Sequence, residues 1–303
     1  MWSSELQQTI IQRCKAVQYR LQEPLSHHTS FRIGGPARRM AFPESREQLV
    51  ILLGLAEECG IRPFLLGRGT NLLVSDRGLD TLVIKTAERM TSIRRLDDVT
   101  LEADVGVLLS RLAVYAQQAG LAGLEFAFGI PGTVGGAVYM NAGAYGGEIK
   151  DVLTAVTFLD ENLHLQTLPV QELQLGYRTS IFERCSWCIL EAEFTLHPGD
   201  AQEIHTAMQE YMRRRKEKQP LEYPSAGSTF KRPEGHFAGA LIEQAGLKGT
   251  RIGGAEVSPK HAGFIVNCGG ATCADVLNLI DLVRERVYKE FGVLLEPEIK
   301  IIK

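Results

Sequence analysis

The spacing of hydrophobic residues changes along the chain, and each change of period predicts a change of secondary structure. Ser45-Arg46-Glu47-Gln48 has the spacing of a capping box. Apolar positions then recur at helical spacing, so a helix is predicted from there to a point near Gly60. Two short apolar segments, residues 64–66 and 72–74, lie on either side of a glycine turn. They predict a strand, turn, strand arrangement.

The middle of the chain combines one helix with several strands. Residues 101–105 alternate like a strand, and residues 107–119 have the period of a helix that ends at Gly120. Further sheet is predicted over residues 155–159, 164–168 and 187–196. After these strands, the last stretch of the chain opens with a charged helix over residues 201–218, capped by Asp200.

The last stretch predicts a second helix that opens at Thr272-Cys273-Ala274-Asp275 and ends near Gly292. Its apolar stripe consists of Val276, Leu279, Ile280, Val283 and Val287. A closing strand is predicted over residues 293–302, and a short amphipathic helix over residues 1–20. No internal repeat is visible, and the order of elements is not a regular βαβ alternation, so the fold class is α+β with mixed sheets.

Composition excludes several classes of protein. The 303 residues carry a net charge of −3 and are 45% hydrophobic, so no global basic field attracts nucleic acid. No window approaches the roughly 18 apolar residues of a membrane span, and the N-terminus has no continuous apolar region of a secretory signal. We therefore expect a cytoplasmic protein without membrane insertion, and no feature points to an obligate protein partner.

The cysteines are expected to be reduced thiols. Cys185 and Cys188 have the spacing of half a zinc site, and Cys268 and Cys273 could be the other half. Cys188 runs into a predicted strand and Cys268 follows an apolar segment, so packing is favoured and no metal site is predicted.

Two glycine-rich segments have the composition of phosphate-binding loops. Gly67-Arg68-Gly69-Thr70-Asn71 permits positive φ at alternate positions, so successive N–H groups can converge on an anion. The second segment, residues 129–136, contains four glycines and Pro131. Neither matches the G-x-G-x-x-G pattern between a strand and a helix, so a Rossmann site is not supported. Each segment alone is typical of a tight turn; together they predict a clamp on the two phosphates of one dinucleotide.

The motifs of the chain resemble those of the UDP-N-acetylenolpyruvoylglucosamine reductase family, also called UDP-N-acetylmuramate dehydrogenase. Two of the segments that agree are the glycine-rich ones, the second continuing to residues 141–146. The others cover residues 28–35, 177–182, 227–233 and 295–299. The resemblance extends from about residue 25 to residue 302. Since 75 residues (303 minus 228) follow Ser228, without room for an added fold, the chain resembles the shorter, second type of the family.

The resemblance implies a FAD-binding fold of the vanillyl-alcohol-oxidase type, made of two α+β subdomains, followed by an α+β substrate-binding domain. On this basis the chain is divided into an N-terminal helical segment (1–24), two FAD-binding subdomains (25–88 and 89–198) and a substrate-binding domain (199–303).

The implied reaction is the reduction of a UDP-sugar enol ether by NADPH through non-covalent FAD. Hydride adds to the methylene carbon, and the adjacent carbon is then protonated. Arg178 matches the family arginine that stabilises the developing charge, since its planar cation suits a carboxylate. Ser228 matches the proton donor, whose hydroxyl needs stabilisation that Lys231 could provide. Glu296 and Glu298 lie two apart on a predicted strand and face one side; the family pattern favours Glu298 as the catalytic residue.

The remaining site residues follow from the same resemblance. The residues predicted to bind the cofactor are Gly67, Arg68, Gly69, Thr70, Asn71, Leu72, Gly129, Ile130, Pro131, Gly132, Thr133, Gly135, Gly136, Asn141, Gly143 and Gly146. The residues predicted to bind substrate are Tyr177, Lys218, Lys231, Arg232 and His261. Arg232 stands where some family members have asparagine, and for His261 a buried structural role is the alternative. No residue is identified that reads the 2′-phosphate of NADPH.

Two other functions must be distinguished from this reaction, and the residues argue against both. An oxidase of the same fold usually attaches FAD covalently through a histidine or cysteine in the first glycine loop, and residues 67–71 contain neither. A binding module without activity would lack a reacting residue, whereas Arg178, Ser228 and Glu298 are all present.

Overall fold

The computed structural model describes residues 9–10, 12–14, 17–87 and 89–303. The helices are α1 (Arg46–Glu58), α2 (Leu109–Gln118), α3 (Val134–Tyr139), α4 (Ala201–Lys218), α5 (Ala238–Gln244) and α6 (Cys273–Phe291). The strands of the first half are β1 (Gln18–Pro24), β2 (Pro36–Phe42), β3 (Phe64–Leu66), β4 (Leu72–Val74), β5 (Leu79–Lys85), β6 (Ile93–Arg95), β7 (Thr100–Asp104), β8 (Leu121–Ala122), β9 (Gly143–Ala144) and β10 (Gly147–Glu148). Those of the second half are β11 (Leu153–Leu159), β12 (Leu165–Pro169), β13 (Cys188–Thr195), β14 (His197–Pro198), β15 (Arg251–Ile252), β16 (Ala255–Val257), β17 (Ile265–Asn267) and β18 (Lys300–Ile302).

The strands form sheets of two kinds. A five-stranded antiparallel sheet has the order β12-β11-β13-β7-β6, and a four-stranded sheet has the order β1-β2-β5-β3, in which β3 and β5 run parallel. A small antiparallel sheet has the order β15-β16-β17. Strand β18 pairs in parallel with β4, from Lys300 opposite Leu72 to Ile302 opposite Val74. The α+β class is confirmed.

The chain divides into two compact units, each built from separate segments. Unit 1 contains the described residues up to Leu21 together with Arg39–Arg68 and Thr81–Arg213. Unit 2 contains Gln22–Arg38, Gly69–Asp80 and Arg214–Lys303. These units interleave along the chain, so they do not test the consecutive domain ranges drawn from the sequence. Those ranges remain a prediction.

Each unit has its own hydrophobic core. In unit 1, α1 contributes Leu49 and Leu52, and the five-stranded sheet contributes Phe158 and Phe194. In unit 2 the core is built around α6, whose five predicted apolar positions are all buried. Helix α6 begins with the predicted capping box between Thr272 and Asp275 and ends at Gly292, which is left-handed at φ +69°.

Two of the predicted helix starts are confirmed, and one predicted helix is wrong at its end. Ser45 caps α1, since its side chain accepts the N–H of Gln48, and Asp200 accepts two N–H groups at the start of α4. The expected helix over residues 1–20 is wrong at its end, where residues 18–20 begin β1; residues 9, 10, 12 and 13 are helical, and residues 1–8, 11, 15 and 16 lie outside the described ones.

The expected closing strand is also shorter than predicted. Only Lys300–Ile302 forms a strand, whereas residues 293–299 contribute one isolated bridge, between Pro297 and Phe230. Proline has no N–H to donate, and this bridge does not need one, because its hydrogen bonds run from the N–H of Glu298 to the carbonyl of Thr229 and from the N–H of Lys231 to the carbonyl of Glu296.

Candidate active site

The first glycine segment, residues 67–72, connects strands that belong to different sheets. Gly67 and Arg68 follow β3, and Leu72 opens β4. Within unit 2, a Cβ on Gly69 would lie 2.2 Å from the carbonyl oxygen of His28, and its φ is +66°. Only glycine fits this position without a shift of the backbone.

Inside unit 1, the structure brings Gly67, the first residue of the first glycine segment, close to the second segment. A Cβ on Gly67 would lie 2.9 Å from Oγ1 of Thr133, which caps α3 by accepting the N–H of Gly136. The N–H of Gly135 donates to the carbonyl of Val105 at 3.0 Å, and a Cβ on Gly135 would lie 2.2 Å from Cγ2 of Val105. The second segment is therefore packed closely onto the end of β7.

Two further glycines are not required by packing, and they show whether the site fits a flavin. Gly136 lies in α3 and is exposed, and a Cβ there would have only an ordinary contact at 3.8 Å. Packing does not require glycine at this position, and glycine within a helix costs roughly 0.5–1 kcal/mol relative to alanine. Gly146 is exposed at φ +91°, and a Cβ on it would have no atom within 4 Å. Open backbone of this kind fits the close approach of a dinucleotide, so these residues fit FAD.

Asn141 is fully buried and uses both ends of its amide within unit 1. Its Nδ2 donates to Oε2 of Glu148 at 2.6 Å and to the carbonyl of Gly176 at 2.9 Å. Its Oδ1 accepts the N–H of Lys150 at 3.0 Å, and its φ is +40°. The side chain fixes the segment 141–150 and attaches it to the turn at Gly176, a role that the sequence analysis did not identify. The acidic pair Glu148 and Asp151, which forms a capping box, was a signal that could have pointed to it.

Arg178 lies in a tight turn with an unusual backbone. Gly176 and Thr179 exchange backbone hydrogen bonds of 3.1 and 3.4 Å around Tyr177 and Arg178. The φ of Arg178 is +58°, at the position that glycine or asparagine usually occupies in a type II turn. Its Nη2 donates to the carbonyl of Gly143 at 3.0 Å. Such a strained conformation persists when the surroundings enforce it and is concentrated at functional sites.

An aromatic pair in unit 1 was missed by sequence analysis. Tyr145 has φ +55° and its ring stacks on Tyr211 of α4, with centroids 4.6 Å apart and planes at 3°. Its hydroxyl donates to the backbone carbonyl of Tyr211 at 3.0 Å. Because 66 residues separate the two tyrosines, no local pattern could have predicted the contact.

Unit 2 brings together three predicted residues from distant parts of the sequence. The N–H of Glu298 donates to the carbonyl of Thr229, the residue after Ser228, at 2.8 Å. The amide of Asn71 donates to the carbonyl of Glu298 at 3.2 Å, and the N–H of Lys300 donates to the carbonyl of Asn71 at 2.9 Å. Ser228 is exposed and Glu298 is half-buried.

The predicted basic residues of unit 2 lie in different settings. Lys218 is the last residue of α4 and is exposed. The ammonium of Lys231 lies 2.6 Å from Oε1 of Glu296, so its charge is directed to that carboxylate. The guanidinium carbon of Arg232 lies 3.9 Å above the ring centroid of Phe237.

His261 is half-buried and held in one tautomer. Its Nδ1 accepts the N–H of Gly263 at 3.1 Å, so in the neutral ring the proton is on Nε2. Burial lowers the pKa of His261, and the nearby Lys248 adds to this effect. The ring therefore offers a hydrogen-bond donor at neutral pH rather than a positive charge.

The predicted residues thus fall into two groups. Unit 1 contains Gly67, Arg68, the whole second glycine segment and its continuation to Gly146, Tyr177 and Arg178. Unit 2 contains Gly69 to Leu72, Lys218, Ser228, Lys231, Arg232, His261 and Glu298. Among the described residues no group of three or more histidine, cysteine, aspartate or glutamate side chains could hold a metal, and no described helix is long and apolar enough to cross a membrane.

Comparison with known proteins matches two separate ranges of the sequence. Residues 37–168 match a model described as FAD binding domain, and residues 219–302 match the C-terminal domain of UDP-N-acetylenolpyruvoylglucosamine reductase. The reductase of Alkaliphilus oremlandii is 49% identical over 282 residues, covering 93% of this chain and 92% of the relative. That of Caldanaerobacter subterraneus subsp. tengcongensis is 51% identical over 284 residues, covering 93% of each.

A solved structure agrees with these relatives. The crystal structure of the Thermus caldophilus reductase has a TM-score of 0.79 and 37% sequence identity, covering 95% of this chain and 99% of that one. The fold and the glycine segments define a FAD-dependent oxidoreductase. The chain belongs to the UDP-N-acetylenolpyruvoylglucosamine reductase family.

Proposed function

We propose that this chain reduces the enolpyruvyl ether of UDP-N-acetylglucosamine enolpyruvate to the lactyl ether of UDP-N-acetylmuramate, with NADPH as the electron source. Identity of about half over 93% of the chain to reductases of that name supports the substrate. The observation that carries the proposal is the hydrogen bond from Glu298 to Thr229, because it keeps the candidate acid Ser228 close in the structure to the candidate carboxylate. The cytoplasmic location and the lack of an obligate protein partner stay predictions.

The two glycine segments would hold FAD, which supplies the hydride chemistry when bound. Gly67 lets the start of the first segment approach Thr133 of the second, and Gly135 lets the second segment approach Val105, while Gly136 and Gly146 keep their backbone open. Because FAD phosphates are held by backbone groups in this scheme, the net charge of −3 is no obstacle.

Arg178 would bind the carboxylate of the enolpyruvyl group as negative charge builds beside it. Its guanidinium is always charged and planar, and its position is set by the turn and by the carbonyl of Gly143. A donor held in place before the reaction needs no reorganisation as charge develops, which is why the strained φ of +58° is compatible with catalysis.

Ser228 would protonate the carbon next to the methylene carbon. A hydroxyl is a weak acid, so the oxygen needs a partner as the proton leaves. Lys231 is directed to Glu296, which makes Glu298 in its protonated form, or a water molecule, the better candidate to donate a proton back to that oxygen.

The residues that would bind the nucleotide differ in charge. Lys218 and Arg232 are cations suited to phosphate oxygens, and His261 is a neutral donor. Tyr177 is 51% exposed beside the guanidinium of Arg178, whose carbon lies 5.1 Å from the ring centroid.

The visible spectrum of the flavin tests the proposal. The purified protein is expected to be yellow, to bleach when NADPH is added without oxygen, and to recover its colour when the UDP-enolpyruvyl sugar is added. Ser228→Ala should retain FAD and bleaching but lose recovery, because only the proton donor is removed. Ser186→Ala, at an exposed serine of unit 1, is the matched control and should behave like the wild type.

Three results would contradict parts of the proposal. Bleaching of the wild type without recovery would exclude this substrate and keep the flavin. Full recovery in Ser228→Ala would exclude Ser228 as the acid. Flavin that stays with the pellet after acid precipitation would indicate covalent attachment, as in the oxidases of related fold.

A further inference from the structure

Ser30 lies between two parts of the candidate site and contacts both within unit 2. Its backbone N–H donates to the carbonyl of Gly69 at 3.1 Å, and its hydroxyl donates to the carbonyl of Ser225 at 2.6 Å. The same hydroxyl lies 3.5 Å from the carbonyl of Gly69. A serine hydroxyl has one proton, so the shorter contact, to Ser225, is the hydrogen bond.

On one side, Ser30 belongs to a segment shaped around the first glycine loop. The carbonyl of His28 occupies the space that a side chain on Gly69 would need, because a Cβ there would lie 2.2 Å from that oxygen. The imidazole of His28 is in turn held by Glu23 at 2.8 Å, with both side chains largely buried. Residues 28–30 are therefore a fixed support for Gly69.

On the other side, Ser225 opens the turn that carries Ser228. Ser225 is bridged to Val266 of β17. Between Ser225 and Ser228 lies Gly227, which has φ +80° and would have open space within 4 Å around an added Cβ. The turn is thus anchored at its start, where Ala226 is also buried in the core of unit 2, and through Thr229 at its end, while Gly227 has open space around it.

We propose that Ser30 is a positioning residue that fixes the turn of Ser228 relative to the first glycine loop. The proposal rests on the proposed function only for its catalytic consequence, since the physical link is independent of the substrate. The Ser30 hydroxyl bonds the start of this turn directly to the segment that surrounds Gly69. Asn267 links the same two segments indirectly, since its N–H donates to the carbonyl of Pro224 and its Nδ2 donates to the carbonyl of Phe31. Without that hydroxyl, the turn keeps its fold but samples more positions.

Hydrogen–deuterium exchange of the FAD-loaded protein tests the link directly. In Ser30→Ala, amides of residues 225–229 should exchange about 2- to 10-fold faster, the range expected for the loss of one hydrogen bond. The matched control is Thr29→Val, which removes the bond from the neighbouring buried hydroxyl to the carbonyl of Ile33 at 2.9 Å. It should leave the exchange of residues 225–229 unchanged.

Kinetics of the two half-reactions test the consequence. Ser30→Ala should be reduced by NADPH at the wild-type rate and should retain its FAD, because the backbone N–H still holds Gly69. Reoxidation by the UDP-enolpyruvyl sugar should slow about tenfold, and its solvent deuterium isotope effect should rise as protonation becomes limiting. Ser30→Thr, which keeps the hydroxyl, should restore both values.

The outcomes separate the two proposals. A wild type that reoxidises with the sugar, with Ser30→Ala unchanged in exchange and in rate, overturns the role of Ser30. Equal slowing of both half-reactions, or loss of FAD, also overturns it, since that result indicates a general structural role. If Ser30→Ala does not fold, Ser30→Cys, which is only slightly larger than serine and donates weakly, replaces it with the same expectations. If the wild type itself does not reoxidise with the sugar, the proposed function fails, while the exchange result still decides the link.

Discussion

The two units place their candidate reacting groups on different kinds of backbone. In unit 1, Arg178 itself adopts a left-handed conformation, as do its neighbours Asn141, Tyr145 and Gln174. In unit 2, Ser228 follows Gly227, and the glycine takes the positive φ. A strained backbone at the reacting residue fixes the direction of its side chain, and the surrounding structure must enforce the strain. A glycine beside the side chain avoids strain but leaves freedom that hydrogen bonds must remove.

The contrast between the two units predicts that Arg178→Gly makes the protein more stable and less active. In Arg178→Gly the backbone strain is relieved, so the free energy of unfolding should rise by about 1 kcal/mol. Loss of the cation should lower the rate of substrate reduction by about 10²- to 10³-fold. Denaturant unfolding and the rate of flavin reoxidation measure the two effects.

A neighbouring residue offers the matched control for strain. Gln174 is exposed and has φ +49°, so Gln174→Gly should stabilise by a similar amount and leave activity unchanged. If Arg178→Gly is less stable than the wild type while Gln174→Gly is more stable, the Arg178 turn is not strained and the contrast between the units fails.

A smaller effect is expected where the glycine segments touch. Gly67→Ala places a methyl group 2.9 Å from Oγ1 of Thr133, so the segments must separate and FAD affinity should fall about tenfold, roughly 1.4 kcal/mol. Thr133→Ala in the same chain removes the obstructing oxygen and should recover part of that loss. Flavin titration followed by fluorescence measures all variants.

The double variant decides the cause. If Thr133→Ala adds its own loss of affinity to that of Gly67→Ala without any recovery, the two segments do not restrict each other, because independent sites add.

The smallest effects concern pH and have opposite signs in the two units. In unit 1 the pKa of Glu193 is raised, first by burial and then by Glu102 and Glu191; Glu102 lies directly opposite on β7. The folded state therefore holds this proton more tightly, and stability falls as pH rises through and above the ordinary glutamate range.

In unit 2 the lowered pKa of His261 means that the unfolded state takes up its proton first, so stability falls as pH drops below about 6.5.

Neutral variants measure these effects one at a time. Glu193→Gln should stabilise the protein by roughly 0.5 kcal/mol at pH 7 and have no effect near pH 3. His261→Gln should flatten the loss of stability between pH 7 and pH 5. Calorimetric unfolding across this range checks both, and a Glu193→Gln variant that stabilises equally at pH 3 would contradict the stated cause.

Local sequence predicted the long helices, and long-range contacts determined most of what was missed. Thr272 and Asp275 satisfy each other within one turn, so the start of α6 is readable from four residues. Residues 64–66 and 72–74 are strands as predicted, but they do not pair with each other: β3 pairs with β5 and β4 with β18. Apolar spacing identifies a strand without identifying its partner.

In the candidate site too, some features could be predicted from the sequence and others could not. Its residues could be named because motifs keep their order along the chain, and their roles remain predictions. The contact of Gly67 with Thr133, the left-handed φ of Arg178 and the bond from Ser30 to Ser225 follow from the packing of segments far apart in sequence. No local pattern encodes them.

The pairing of β4 with β18 has a consequence for synthesis on the ribosome. Leu72 lies opposite Lys300, so its partner is the 228th residue (300 minus 72) made after it. At about 5 to 20 residues per second, translation of that interval takes roughly 10 to 45 s. During that time the edge of β4, next to the first glycine loop, has no partner strand. Capture of the flavin by a complete loop is therefore expected after translation of β18, and nascent chains that stall earlier should expose this edge to chaperones.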